Sequence, residues 1–541
     1  MKKFNKILSL LFVAVMAVSC IGGCGKKDDT GLEYDFNVSD KTVEYSFFSP
    51  NWNGLPTTND KVLQSIEEKF NVKLNMIGAT NSNWQQNLAN LVADQETPDL
   101  FFILPNTSTM TDYIKKEVVY DANAFIENSP EDLATLSEVL GAEQFGDNVK
   151  INGLNYFIPQ TVGTTNRVLM VRKDWMKKWN EEERGKTGDD VYLEPQTLSE
   201  FTAMLKFFNS KSLSGSKTYG MALNPDFDFY EDFMATFGVK PDYYLDGDGN
   251  YQLSVNSENY ENFIKWFRDG DGTYLYPEFY SLSEAEAINA FSTGKVGAIL
   301  SNGSTMIDGL IKGVETTNGA SADDLIALIT PPNSDDGTYK GAFQSFNFYW
   351  GGWAVSATAE EPMRIFKILD YLYSQEGQNL MVHGVKDVHY TVADDGTILP
   401  NHDGRKADGA EKVWENKGDG ATGSLLGRYR VGSQFMPCPF TVVDGKLVEN
   451  YPVETSEYPK WQTLSRELTA KNSVPGGLTK IIADPDVNSY NTKIMDAVEQ
   501  YTISVIGGNA TEQEEAKALL DSRLISYKAD KVLEYLNQNM K

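Results

Sequence analysis

The chain has 541 residues, more than one hydrophobic core can organise, so two or more domains are expected. A formal net charge of −28, with 41% hydrophobic and 12% aromatic residues, describes an acidic globular protein and argues against nucleic acid as a partner. The acidity otherwise serves solubility at a crowded surface.

Lys2, Lys3 and Lys6 precede an apolar run from Ile7 to Val18, interrupted only by Ser9. That run is too short to span a bilayer as a stable helix, so residues 1–23 read as an export signal. Two cysteines fit a lipid-attachment site. Cys24, in Ile21-Gly22-Gly23-Cys24, has a branched apolar residue three places before it and the charged stretch Lys26-Lys27-Asp28-Asp29 after it; Cys20, in Ala17-Val18-Ser19-Cys20, is the alternative. Losing residues 1–23 removes three lysines and no acid, leaving a net charge near −31. Beyond these two cysteines there is only Cys438, so with Cys24 acylated no intramolecular disulfide forms and stability rests on core packing. The expected location is the outer face of a bacterial cytoplasmic membrane, held by a lipid anchor.

Residues 24–41 are polar and read as a tether. Val43–Phe48, Val72–Ile77 and Leu100–Leu104 read as strands, separated by helices capped at Asn59 or Asp60 and spanning Trp84–Asp94. This β-α-β-α-β order opens a doubly wound parallel sheet. Tyr156–Pro159 and Val168–Val171 follow, then a helix from Asp174 in which Trp175 and Trp179 face a core. Thr197-Leu198-Ser199-Glu200, Ser283–Glu286 and Thr511–Glu514 read as capping boxes. Asp246-Gly247-Asp248-Gly249-Asn250 alternates oxygen ligands as a calcium loop does, but position twelve is Ser257 where the loop wants glutamate, so a hairpin turn is expected. Phe291–Leu300 reads as helix end, glycine stop and strand, Leu325–Ile329 as a further strand, and Phe346–Trp353 is the densest aromatic stretch. Asp484-Pro485 opens a helix running to Gly507-Gly508, and a last helix follows. Residues 393–450 are loop-rich and resist assignment.

The stretch Tyr156 to Trp179, YFIPQTVGTTNRVLMVRKDWMKKW, resembles the segment of extracellular solute-binding lipoproteins of ABC importers in which the chain crosses between lobes. Other pieces match the carbohydrate-type, large-lipoprotein branch in order: Glu96–Leu100, Pro195–Phe201, Phe291–Gly297, Glu361–Gly384 and Gly507–Thr511. The resemblance covers nearly the whole mature chain. It implies an α/β fold of two lobes, each a doubly wound sheet flanked by helices, with C-terminal helices and a hinge-like closure over ligand. By analogy, crossings fall near Ile158, Ile329 and Tyr373, giving residues 42–157 and 329–375 to lobe 1 and 158–328 and 376–541 to lobe 2. Some larger relatives carry a calcium loop where this chain reads Asn209–Gly215 without carboxylates, so no metal is expected there.

Oligosaccharides present apolar C–H faces ringed by hydroxyls, and their sites combine aromatic platforms with planar polar side chains. Strand-end aromatics Trp52, Trp350 and Trp353 are the candidate platforms; for Trp350 and Trp353 the alternative is that a tryptophan in an apolar run is core, whereas Trp52 stands beside asparagine and glycine. The loop carrying Phe227, Phe229 and Tyr230 resembles a sugar-contacting loop of maltodextrin-binding proteins, and Asn106, Asn302 and Ser304 are polar candidates by position. His383, His389 and Tyr390 resemble a packing motif. The sequence contains no HExxH, GxSxG or GxxxxGK[ST] motif and no cofactor fingerprint. The expected function is a monomeric, membrane-anchored receptor that captures an oligosaccharide and presents it to an ABC-transporter permease. A binder of peptide or another non-sugar solute is the alternative, and a glycoside hydrolase a more distant one.

Overall fold

The computed structural model describes residues 32–50, 55, 60–79, 83–105, 108–161, 167–223, 228–303, 307–345, 349–396, 398–401, 440–449, 458–478 and 480–540. The export signal, Cys20 and Cys24 lie outside the described residues.

The chain opens as the sequence predicts, with β1 (Val43–Pro50), β2 (Val72–Ala79) and β3 (Leu100–Ile103) alternating with helices Lys61–Phe70 and Trp84–Ala93. Asp60 is the cap of the first helix, its carboxylate accepting from the amides of Val62 and Leu63. β1 lies between β2 and β3, and Tyr45, Phe47 and Phe48 are buried because helices cover both faces of a parallel strand. There follow β4 (Ile158–Thr161), β5 (Arg167–Arg172), β6 (Tyr219–Leu223), the hairpin β7 (Tyr243–Leu245) and β8 (Tyr251–Leu253), and β9 (Val296–Asn302). Next come β10 (Ile326–Ile329), β11 (Phe343–Ser345), β12 (Tyr349–Val355), β13 (Tyr390–Val392), β14 (Ile398–Pro400), β15 (Phe440–Val443), β16 (Lys446–Glu449) and β17 (Ser473–Pro475).

Among the described residues two larger sheets form, ordered β2-β1-β3-β12-β4 and β10-β5-β9-β6, beside the two-stranded pairs β7-β8, β11-β17, β13-β14 and β15-β16. The first has one core, drawn from Tyr34 through Ile158 and from Tyr349 through Leu447, with Ile481 added from near the C-terminal helices. The second is packed on both faces. Along β5, Leu169 and Val171 face one core while Val168 and Met170 face the other, the strand alternation of side chains made visible. The C-terminal helices Pro485–Gly507 and Ala529–Asn539 complete the core on the Leu169 face through Ile494, Val498, Val532 and Leu536.

β12 enters the first sheet between β3 and β4 by virtue of Gly351 and Gly352. A Cβ on Gly352 would stand 2.4 Å from Phe157 Cδ2 and 2.7 Å from the Ile158 carbonyl oxygen. Gly352→Ala is therefore expected to cost about 1–3 kcal/mol by overpacking, read as a lower urea midpoint; an unchanged midpoint would show that β12 can shift.

Several sequence expectations are corrected. Tether residues 32–41 dock on the first lobe: Tyr34 is buried, its ring 5.3 Å from Tyr120 and 5.6 Å from Phe125, and Phe36 stands 5.3 Å from Phe125. The second crossing falls beyond Ile329, since Phe343 still packs in the second lobe and Tyr349 already in the first. The third falls beyond Tyr373: Leu380, Met381, Phe440 and Leu447 belong to the first core, and Trp461 to the second lobe. Leu380–Val385 and hairpin β15–β16, assigned by sequence to lobe 2, therefore pack in lobe 1. Hairpin β15–β16 is held there by Gln144, which accepts from the Leu447 amide at 2.8 Å and donates to its carbonyl at 2.9 Å.

The expected box at Thr197 is half-formed, because Glu200 accepts instead from the Gln196 amide at 2.7 Å. The box at Ser283 is complete. The third starts two residues earlier than expected, at Asn509 with Glu512 as its partner. In the β7–β8 turn, Asp246 Oδ1 accepts from the amides of Asp248 at 3.0 Å and Asn250 at 2.9 Å, as a hairpin requires.

Candidate functional site

The two sheets bring their loop-bearing ends to one place. β1, β2 and β3 run parallel, and β12 is antiparallel to both β3 and β4. The C-terminal ends of β1 to β4 and the N-terminal end of β12 thus share one edge of the first lobe. In the second, Arg167 at the start of β5 stands opposite Asn302 at the end of β9, beside the end of β6, and the end of β10 pairs with the same part of β5. The first crossing, residues 162–166, joins these two edges directly, since β4 ends at Thr161 and β5 starts at Arg167. This is the crevice outside the carboxyl ends of strands where open α/β sheets place ligands.

The predicted residues divide. Trp52, Asn106, Phe227 and Ser304 lie outside the described residues; in sequence they follow β1, β3, β6 and β9 within four residues. Asn302 ends β9 and Trp350 lies in β12, next to an irregular β12–β4 register between Tyr349 and Gly352, but their side chains are outside the description. Phe229 is likewise placed by backbone only, in the turn of helix Asp228–Glu231.

Two candidates are corrected. Trp353 is fully buried, its indole 5.5 Å from the Phe102 ring in an edge-on contact, so it is a core residue of the first lobe. Tyr230 is fully buried against Phe267 at 5.1 Å and Phe279 at 5.8 Å, and burial pushes its hydroxyl pKa well above the ordinary tyrosine value. Trp353 sits in strand β12 and Tyr230 in a short helix among acidic residues, and both rings pack inward. Trp175 and Trp179 are core as predicted, each beneath a guanidinium at 5.0 Å, from Arg172 and Arg184.

Sequence reasoning missed a polar cluster in the wall of the second lobe. Arg167 Nε lies 3.5 Å from Asp232 Oδ2, with side-chain exposures of 6% and 0%. The other Asp232 oxygen accepts from the Gln344 amide at 2.7 Å, Gln344 Nε2 donates to the Glu231 carbonyl at 3.0 Å, and Thr469 Oγ1 donates to the Arg167 carbonyl at 3.1 Å. Ser301 Oγ and Gln344 Oε1 have no hydrogen-bond partner among the described residues. The signal that could have found Arg167 was its place inside the stretch Tyr156–Trp179, in which the chain was expected to cross between lobes.

The lobes also touch away from this edge. Helix Ser108–Lys115 of the first packs against Pro485–Gly507, and adjacent Ile481 and Ile482 fall in the first and second cores respectively. His389 is buried, with Nδ1 accepting from the Val385 amide at 2.8 Å, and His383 stands 5.8 Å from Tyr390. Among the described residues no group of three acids, histidines or cysteines is placed to hold a metal.

The polygalacturonan/rhamnogalacturonan-binding protein of Bacillus subtilis is 22% identical over 406 residues, covering 73% of this chain and 76% of that one. Two solved structures share the fold over 92% of this chain and 98% of their own. One is an HMO-binding ABC-transporter-associated solute-binding protein of Bifidobacterium longum infantis (TM-score 0.66, 14% identity), the other an alginate-binding protein without calcium ion (TM-score 0.64, 16% identity). The family description bacterial extracellular solute-binding protein matches residues 56–379, more than half of the chain, and the chain belongs to that family.

Proposed function

We propose that this protein captures an oligosaccharide between two closing lobes and delivers it to the transmembrane subunits of an ABC transporter, as a monomer held at the outer face of the membrane by a lipid on Cys24. The observation that carries this reading is the convergence of both sheets' loop-bearing ends on one edge, joined by crossings that permit a hinge. Trp52 and Trp350 are the proposed platforms, with Asn106, Phe227, Phe229, Asn302 and Ser304 around them. An aromatic face buries the C–H surface of a sugar ring at low entropy cost, and amide and hydroxyl groups fix its hydroxyls. A relative and a fold neighbour with polysaccharides in their names support a sugar over a peptide.

A thermal-shift screen of a glycan panel tests the reading. A true ligand at 100 times its Kd stabilises by about 2.7 kcal/mol, several degrees in Tm; a panel in which only peptides shift the transition would contradict it. For the anchor, each buried methylene adds about 0.8 kcal/mol of membrane affinity, so an acylated protein is expected in the membrane fraction. Replacing Cys20 and Cys24 by alanine is expected to release it to the soluble fraction, and retention would remove the lipid anchor from the account.

A further inference from the structure

The crossings meet lobe 2 at points far apart in sequence, and one carboxylate ties two of those points together. Asp232 is fully buried in a segment whose Tyr230, Phe233 and Met234 are core residues of the second lobe, so its backbone is fixed there. One of its oxygens accepts from the amide of Gln344, in β11, at 2.7 Å, and the other stands 3.5 Å from Nε of Arg167, the first residue of β5. β5 receives the first crossing, and the second leaves from the end of β11.

The third crossing is fastened to the same two points. Once the chain is back in lobe 2 at Trp461, Thr469 of helix Pro459–Lys471 donates to the Arg167 carbonyl at 3.1 Å. The Asn472 carbonyl then accepts from the Phe343 amide at 2.8 Å, and β17 runs parallel to β11 with Val474 opposite Gln344. Two further bonds hold the approach to β11 on the segment around Asp232: Gln344 Nε2 donates to the Glu231 carbonyl at 3.0 Å, and Thr236 Oγ1 to the Pro332 carbonyl at 2.7 Å.

A buried ion pair adds little net stability beside a well-packed apolar pair, because desolvation offsets the attraction, but it penalises every arrangement that separates the charges. Where the chain passes between lobes, that penalty falls on any motion in which one crossing shifts without the others. Three unlinked connections could each bend separately; with their ends fixed to one another, lobe 2 turns as one body.

We propose that Asp232 is a positioning residue of the hinge. It couples the lobe-2 ends of the first and second crossings, and through Thr469 and β17 the third, so that the lobes open and close along one path. The inference rests on the proposed hinge closure and is independent of which solute is bound.

Pulsed electron resonance of the ligand-free chain carrying Cys20→Ala, Cys24→Ala and Cys438→Ala tests it, with spin labels attached through Asn128→Cys in lobe 1 and Ser522→Cys in lobe 2, both exposed positions. Asp232→Asn is expected to widen the lobe-to-lobe distance distribution at least about twofold, and so is Arg167→Met with Asp232→Leu, which replaces the ion pair by an apolar one and spares the fold. A role in stability alone would lower the urea midpoint of Asp232→Asn and leave the width of the folded fraction native; native width in the variants that fold overturns the proposal and leaves sugar binding standing. In the unaltered chain, the amides of Phe343 and Gln344 are expected to exchange with solvent as slowly as those of β5. Exchange there at the rate of an exposed loop would overturn the proposal whether or not the variants fold.

Discussion

Replacing Arg364 by leucine is expected to lower unfolding free energy by about 3–5 kcal/mol, the range for removing one partner from a buried charge network. The Arg364 side chain is 2% exposed. Its guanidinium donates to the carbonyls of Lys41 at 3.0 Å, Phe70 at 3.2 Å and Asn71 at 3.1 Å, to the Ser39 carbonyl, and to Glu361 Oε2 at 2.6 Å. One side chain thereby ties the N-terminal stretch, the end of helix Lys61–Phe70 and the start of helix Pro362–Tyr373. Leucine fills much of the volume but leaves several acceptors without a donor, and that desolvation dominates the cost. Lysine keeps the charge but not the planar fork, so Arg364→Lys is expected to restore only part of the loss.

The same cluster has a pH signature. Burial opposes ionisation of Glu361, but hydrogen bonds from Ser39 and Arg364, with the charge of the guanidinium, outweigh it and hold the carboxyl below its ordinary 4.5. A depressed carboxylate pKa contributes stability that is present above the unfolded value and lost as pH falls through the folded one. The native protein is therefore expected to weaken as pH drops below about 4.5, and the leucine variant to lose the Glu361 share of that slope. Urea titrations at neutral and acid pH read both effects; an unchanged midpoint at neutral pH would contradict the role of Arg364.

Alanine at Trp52 or at Trp350 is expected to weaken oligosaccharide binding by about 2 kcal/mol or more, roughly thirtyfold in Kd, while leaving the urea midpoint within about 0.5 kcal/mol of wild type. Trp353→Ala should do the reverse in stability. It empties a fully buried site against Phe102 and is expected to cost about 3–5 kcal/mol. The contrast separates platform from core within one strand, because Trp350 and Trp353 both lie in β12. Unchanged affinity in both platform variants would remove them from the site.

The β-α-β-α-β opening of the first lobe was legible because β1, β2 and β3 carry apolar runs between amphipathic helices, and Asp60 and Ser283 announce their helices locally. The tether was misjudged because Leu32, Tyr34 and Phe36 are too few to register as an element, though their alternate spacing is that of a strand-like segment laid on a core. The second and third crossings were misplaced for a different reason. Apolar residues such as Phe343, Leu380 and Leu447 declare that they are buried, but not in which lobe, and only long-range packing decides that. The same limit applies to Tyr230 and Trp353, whose sequence neighbourhoods match a strand-end loop while their rings turn inward. The Arg167–Asp232 pair joins residues 65 apart in sequence, and no local pattern signals such a contact.

The most direct test of the account is titration calorimetry of the mature chain with the oligosaccharide that most raises its Tm, followed by chromatography of the recovered sugar. The account predicts saturable one-to-one heat and a sugar recovered intact. Shortened sugar products, or heat with peptides and none with any oligosaccharide, would contradict it.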